Sequence, residues 1–213
     1  MSKISAIIRC RNEERWIGHA IQSTVDFFDS PEIIVVDDNS TDNSRRVIST
    51  FDYLNVKTLN IKSDYTPGKA LNMGIKEASH DIILILSAHC VLTSVDFNKI
   101  QKLLANHVAI WGKQIPIWNG KKVSRRYVWS NFKEEDKVNY HAPEEDRPFL
   151  HNALCFYKKD FLLKNEFDER LSGKEDRYWA LDVIQDGHSI YYDSSFIADH
   201  HYTENGATWK GVG

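Results

Sequence analysis

Four short polar clusters stand where apolar runs end or a helix is expected to begin. Arg9-Cys10-Arg11-Asn12-Glu13 closes the first run, Asp37-Asp38-Asn39-Ser40 the second, and Ser87-Ala88-His89 a later one. The fourth cluster is Glu175-Asp176 in LSGKEDRYWALD, just before or within the first turn of an expected helix. The carboxyl ends of parallel strands form the crevice where open α/β sheets hold ligands, so these clusters are candidates for one shared site. In ILILSAHC, residues 83–90, the strand-end histidine His89 suits three roles: metal ligand, base or polar cap on the strand. Two plain structural roles compete. Asp37 could cap a following helix, and Glu175 and Asp176 could simply stabilise a helix N-terminus, where negative charge is favourable.

Several common chemistries lack their signatures. No G-x-G-x-x-G follows the first run and no G-x-x-x-x-G-K-[ST] occurs, which argues against a dinucleotide-dependent dehydrogenase or a P-loop enzyme. No G-x-S-x-G nucleophile elbow is present, which weakens a hydrolase reading.

The elements that must position the clusters alternate between strand and helix. KISAIIR (3–9), EIIVVD (32–37), NVKTLNI (55–61), DIILILS (81–87) and HVAIWGK (107–113) read as strands. Between them lie helical patterns. The first carries Trp16, Ile17, Ala20, Ile21, Val25 and Phe28 on one face, and the second starts at Asn39–Asp42 and runs to about Thr50. The third carries Ala70, Leu71, Gly74, Ile75 and Ala78 after Pro67-Gly68, and Ser94 is the expected cap of the fourth. Continuously apolar strands joined by helices imply a mainly parallel sheet covered on both faces. The alternation fails after about residue 118, and residues 119–147 carry 13 charged side chains among 29, which reads as a solvated loop. NALCFY (152–157) is the next strand, followed by helices near 158–164 and 176–185, then two short β segments, 189–193 and 196–200.

Composition sets the outer limits. The 213 residues suit one domain, and 42% hydrophobic with 27% charged residues is ordinary for a globular protein. A net charge of −3 argues against nucleic acid as a partner. Three widely spaced cysteines without a C-x-x-C pair point to reduced thiols in the cytoplasm, and no run is long enough for a signal peptide or a membrane span.

KISAIIRCRNEERWIGHAIQS, IIVVDDNSTDNS and PGKALNMGIKEASHDIILILSAHC, in that order, resemble the nucleotide-binding half of family 2 glycosyltransferases with the GT-A fold. Asn12-Glu13 matches the family's N-E pair, residues 36–42 its V-D-D-x-S-x-D, and Asn72-Met73-Gly74 its N-x-G. GKEDRYWALDVIQDGHSIYYDSSFIADHH matches the late E-D pair, the glycine-ended helix and the final histidine. The resemblance covers about residues 3–112 and 150–202.

The resemblance implies an α/β, Rossmann-like single domain over residues 1–213. A mainly parallel central sheet would be flanked by helices, with a smaller mixed acceptor-side region. Residues 1–112 would bind the nucleotide sugar, and residues 113–213, with the polar loop 119–147, would hold the acceptor and the catalytic groups. The implied activity is inverting transfer of a sugar from a nucleotide-diphosphate sugar to a hydroxyl of a glycan or lipid-linked acceptor, in bacterial surface polysaccharide synthesis. The implied place is the cytoplasm or the inner face of the membrane, with peripheral association left open. Asp176 takes the role of general base, its pKa raised by burial, and Glu175 positions the acceptor. Asp38 contacts the base of the nucleotide with Asp37 beside it, and Asn12 and Glu13 lie along the nucleotide. Arg9 or Arg11 pairs with the diphosphate, Ser87 bonds a ribose hydroxyl, and Lys69 lies near the nucleotide-facing edge or in solvent.

One motif departs from the family pattern. Ser87-Ala88-His89 stands where the metal-binding D-x-D belongs. The implied cofactor is a divalent cation, Mn²⁺ or Mg²⁺, held here by His89 and a late histidine, His200 or its neighbour His201. Imidazole suits Mn²⁺ or a later transition metal better than Mg²⁺, which prefers oxygen. Two other roles for His89 stay open: a donor to phosphate without metal, and a strand cap. The departure also keeps open a second function, a catalytically silent nucleotide-sugar-binding partner of another transferase. A nucleotidyltransferase is weaker, since no Gly-rich basic loop follows the first strand. Trp111, Trp118, Trp129 and Trp179 could supply sugar-stacking faces, core packing being the expected use of most, and Trp179 is the best candidate for lining the acceptor pocket. The terminal TENGATWKGVG is read as a closing tail or a frayed end.

Overall fold

The computed structural model describes residues 3–62, 64–122 and 132–203. The chain begins β1 (Ser5–Cys10), α1 (Ile17–Phe27), β2 (Glu32–Asp37), α2 (Ser44–Ser49), β3 (Val56–Asn60), α3 (Pro67–Glu77) and β4 (Ile82–Ser87). It continues through β5 (Cys90–Ser94), α4 (Phe97–Asn106) and β6 (Ala109–Trp118), then four two-residue strands, β7 (Lys121–Lys122), β8 (Lys137–Val138), β9 (His141–Ala142) and β10 (Arg147–Pro148). It closes with β11 (Leu154–Lys158), α5 (Lys159–Lys164), α6 (Glu175–Gln185) and β12 (Ile190–His201).

The main sheet runs β3-β2-β1-β4-β11-β6-β12-β5. β3, β2, β1, β4, β6 and β12 share one direction, and β11 and β5 oppose it. The fold is therefore mixed α/β with a mostly parallel sheet, as the alternating pattern predicts.

The isoleucine-rich strands are apolar on both faces because both faces are covered. Ile7, Ile34, Val36, Ile83 and Ile85 meet α3 and α6 on one side. Ile8, Ile33, Val35, Leu84 and Leu86 meet α1 and α4 on the other. Each fully buried side chain of this size stabilises the fold by about 1.5–3 kcal/mol. α3 approaches β1 so closely that a Cβ on Gly74 would lie 2.5 Å from Ile7 Cγ2. α3 starts on the Thr66 hydroxyl, which accepts from Lys69 N at 3.2 Å, with Pro67 in its first turn.

Four expectations change. Ser94 ends β5 rather than capping α4; Asp96 is the cap, accepting from the amides of Asn98 and Lys99. A short apolar run after His89 pairs with β12 before the helix begins, which moves the cap two residues on. The segments at 189–193 and 196–200 are one strand, β12, with an irregularity between Asp193 and Ile197. β6 extends to Trp118, past the predicted end at 113. Within 119–147, Tyr140 and Ala142 are buried against Trp111, so apolar anchors pin a polar stretch to the core. Trp129 and residues 204–213 of the terminal tail lie outside the described residues. Among the described residues no helix is long and apolar enough to cross a membrane.

Candidate active site

Strand register gathers the polar clusters. Arg9 lies beside Ser87, and Cys10 beside Asp37, at the carboxyl edge of the parallel block. β11 runs against β4, so the residues just before that strand, His151-Asn152-Ala153, reach this edge. The first turn of α6 adds Glu175 and Asp176, following Lys174 in a left-handed conformation at φ 62. Together these segments enclose a cavity of about 370 Å³.

Eight of the predicted site residues line it: Arg9, Arg11, Glu13, Ser87, His89, Glu175, Asp176 and His200. The other four do not line it, and three of them brace its walls. Asp37 is fully buried and accepts from Arg45 Nε at 2.8 Å and from Ser40 N at 3.2 Å. Asp38 accepts from Arg11 at 2.9 Å. Asn12 Oδ1 accepts from Thr41 N at 2.7 Å, fixing the turn that follows β2. Lys69 Nζ donates to the Asp64 carbonyl at 3.3 Å and is not among the lining residues.

The two carboxylates of α6 differ in surroundings. Glu175 lies 3.3 Å from Arg9, and burial raises its pKa above the ordinary 4.5 despite that cation. Burial also pushes Asp176 upward, but the Arg177 guanidinium, His151 and the Asn152 amide outweigh it, and its pKa falls below 3.8. Asp176 Oδ2 accepts from Asn152 N at 3.0 Å and Arg177 at 2.9 Å, and Oδ1 accepts from Arg177 N at 2.9 Å. The expectation that burial raises the Asp176 pKa is thus corrected: hydrogen bonds and an adjacent cation favour its charged form.

Histidines form the opposite cluster. His89 Nδ1 lies 3.0 Å from Glu13 Oε1, and its ring stacks on that of His200 with centroids 4.9 Å apart. His201 N donates to the His89 carbonyl at 2.9 Å, tying the two segments together. His151, pushed down to about 3 by burial and the nearby Arg177, sits 6.0 Å from His200 by ring centroids.

The sequence profile of glycosyl transferase family 2 matches residues 5–165. The chain belongs to that family. Among curated relatives of this family 2 chain is the poly-beta-1,6-N-acetyl-D-glucosamine synthase of Staphylococcus epidermidis, 29% identical over 109 residues, 47% of this chain and 26% of that one. Another is the O-antigen chain rhamnosyltransferase WbaN of Salmonella anatum, 23% identical over 185 residues, 81% of this chain and 58% of that one. The chain thus spans between 26% and 58% of the length of these relatives. The fold is shared with S. aureus TarS 1-349 in complex with UDP, at TM-score 0.70 and 21% identity, over 94% of this chain and 61% of that one. It is also shared with the mannosyltransferase PcManGT of Pyrobaculum calidifontis in complex with GDP-Man and Mn²⁺, at TM-score 0.72 and 19% identity, over 95% and 58%.

Divalent cations are common in GT-A enzymes of this family. Among the described residues no group of three His, Cys, Asp or Glu side chains could hold a metal ion. His89 and His200 both line the cavity, with their rings stacked 4.9 Å apart.

Several lining or supporting residues escaped the sequence reading. His151 and Asn152 precede an antiparallel strand, a place to which the carboxyl-end rule does not point. Arg177 directly follows the E-D pair, and its charge was a legible signal. Gln114 sits in β6 with no motif around it. Trp179, a predicted pocket lining, is instead core: it is buried against Tyr157, Phe161 and Phe167, and its Nε1 donates to the Asn165 carbonyl.

Proposed function

We propose that this chain is an inverting glycosyltransferase that moves a sugar from a nucleoside diphosphate donor to a hydroxyl of a glycan or lipid-linked acceptor. The observation that carries this reading is one cavity that brings the α6 carboxylates to the ends of β1 and β4, where Arg9, Arg11, Ser87 and His89 stand. Relatives named as a polysaccharide synthase and an O-antigen chain rhamnosyltransferase support bacterial surface polysaccharide as the product class.

In this reading Arg9 and Arg11 bind the donor diphosphate, and Ser87 bonds the ribose. Asp38 and Asp37, held by Arg11 and Arg45, shape the base-binding end, and Asn12 fixes its turn. Asp176 accepts the proton of the acceptor hydroxyl as its oxygen bonds to the anomeric carbon. The bond from that carbon to the diphosphate breaks, and its electron pair leaves with the diphosphate. If a divalent cation takes part, His89 and His200 are the side chains that would hold it, and its charge would offset that developing on the leaving group. Glu175, aligned by Arg9, positions the acceptor.

The raised pKa of Glu175 favours a second assignment, with Glu175 as the base and Asp176 as an anchored anion holding Arg177.

The test is transfer by the purified chain across UDP-, GDP- and dTDP-sugars with oligosaccharide and lipid-linked acceptors, products read by mass spectrometry and NMR. An anomeric configuration opposite to the donor's is expected. Retained configuration refutes the inverting mechanism, and nucleotide-sugar binding without turnover on any pair favours a silent binding partner.

A further inference from the structure

His151 stands just before β11 and lines the cavity beside Asn152, whose amide donates to Asp176. Its protonation follows from its neighbours. The Ala153 backbone amide reaches His151 Nδ1 at 3.4 Å, and a backbone N–H can only donate, so Nδ1 carries the lone pair. Gln114, buried in β6, places its Nε2 2.9 Å from the same nitrogen and its Oε1 2.7 Å from His200 Nδ1, the amide orientation that this lone pair requires. The ring is neutral, because burial and the nearby Arg177 push its pKa down to about 3. Its one proton therefore sits on Nε2. That nitrogen has no hydrogen-bond partner among the described residues and is not one of their fully buried unpaired polar atoms, so it opens on the cavity that His151 lines. The result is a neutral N–H donor, held in place by two bonds at the ring's other nitrogen.

Asp176 and Arg177 of α6, and Arg9 and His89 at the ends of β1 and β4, all act electrostatically on the His151 ring. It is thus in reach of both the proposed base and an arginine proposed to hold the diphosphate. A donor sugar must lie between those two points, since its anomeric carbon is bonded to the diphosphate and attacked by the oxygen that the base deprotonates. The carboxylates of Glu175 and Asp176 disfavour phosphate on their side of the cavity, whereas a sugar hydroxyl accepts from a neutral N–H without like-charge repulsion. We infer that His151 is a substrate-contacting residue whose Nε2–H donates to a hydroxyl oxygen of the donor's sugar, with Gln114 as the positioning residue that fixes its tautomer. One fixed donor discriminates against sugars that lack the matching oxygen, because the N–H is then left unpaired. This inference rests on the transferase reading proposed above.

The experiment uses the whole chain with UDP-, GDP- and dTDP-sugars and with UDP, GDP and dTDP themselves. In nitrogen-15 histidine spectra, the His151 signals are those lost in His151→Phe or His151→Gln. They are expected to show the neutral Nε2–H form from about pH 5 to 8. The Nε2–H signal is expected to shift when the nucleotide sugar binds, and by less when the parent diphosphate binds. By calorimetry, His151→Phe is expected to bind the nucleotide sugar about three- to tenfold more weakly, with the affinity for the parent diphosphate unchanged. His151→Gln, whose amide returns an N–H donor, is expected to recover most of that loss. Circular dichroism and diphosphate affinity establish that each variant is folded; where one is not, the signal shift in the unaltered chain decides. A proton on Nδ1, an equal loss for the nucleotide sugar and its diphosphate, or no loss for either overturns the inference while leaving the transferase reading intact. So does a raised acceptor KM with nucleotide-sugar affinity unchanged. No binding of any nucleotide or nucleotide sugar overturns both.

Discussion

Asn72 closes on the backbone of Phe167 from both sides: its Nδ2 donates to the Phe167 carbonyl at 2.9 Å, and its Oδ1 accepts from the Phe167 amide at 3.0 Å. Asn72 Nδ2 also reaches Glu169 Oε1 at 3.0 Å. The helix bearing the N-x-G motif thereby holds the loop that leads to Glu175 and Asp176. Each buried backbone group left unpaired costs about 1–3 kcal/mol. Asn72→Leu, which cannot pair with either, is expected to lower stability by that order and to reduce transfer more than nucleotide affinity. Thermal unfolding and kcat beside diphosphate Kd check both effects.

Removing the base should cost far more turnover than binding. Asp176→Asn is expected to lower kcat by about 10²- to 10⁴-fold, the usual contribution of a positioned base. Glu175→Gln should fall by less and raise KM for the acceptor. A larger kcat loss in Glu175→Gln than in Asp176→Asn reverses the two assignments.

The pH profile separates the same pair independently. A base works as its carboxylate, so kcat/KM falls as pH drops through its pKa. Burial raises Glu175 above 4.5, whereas Arg177 and the other partners of Asp176 overcome burial and bring it below 3.8. With Asp176 as base, the acid limb that it contributes lies below pH 3.8. With Glu175 as base, a limb appears above pH 4.5.

The thiols should be inert in the native protein. All three cysteines are free and buried, and burial pushes Cys10 up to about 12. Nucleophilic thiolate is therefore scarce near neutral pH. A chromogenic disulfide reagent is expected to titrate none of them until denaturant is added; rapid native reaction of even one contradicts the burial.

The first half of the fold was legible because each strand is a run of β-branched residues and each helix shows its own period. The carboxyl-end rule then led directly to Arg9, Arg11, Glu13, Ser87 and His89. It failed for His151 and Asn152, since β11 enters the sheet in the opposite direction and presents its beginning at that edge. Direction is a tertiary property, and a run such as NALCFY reads the same either way. Gln114 was invisible for a different reason. An isolated glutamine in an apolar strand acquires meaning only when two histidines, at 151 and 200, arrive on either side of it. The opposite pKa shifts of Glu175 and Asp176 depend on burial, which prevails at Glu175, and on Arg177, which helps to overcome it at Asp176; both are likewise set by packing.

The backbone bond from His201 N to His89 O, with the Nδ1 contacts of both rings, has a thermodynamic consequence for whatever enters the cavity. Immobilising a side chain costs rotamer entropy, up to about 2 kcal/mol for the most flexible types. Here that cost is met when the sheet forms, and none of it falls on the ligand. A ligand matching the fixed spacing of the two rings gains that affinity in full, while a mismatched one is refused rather than accommodated.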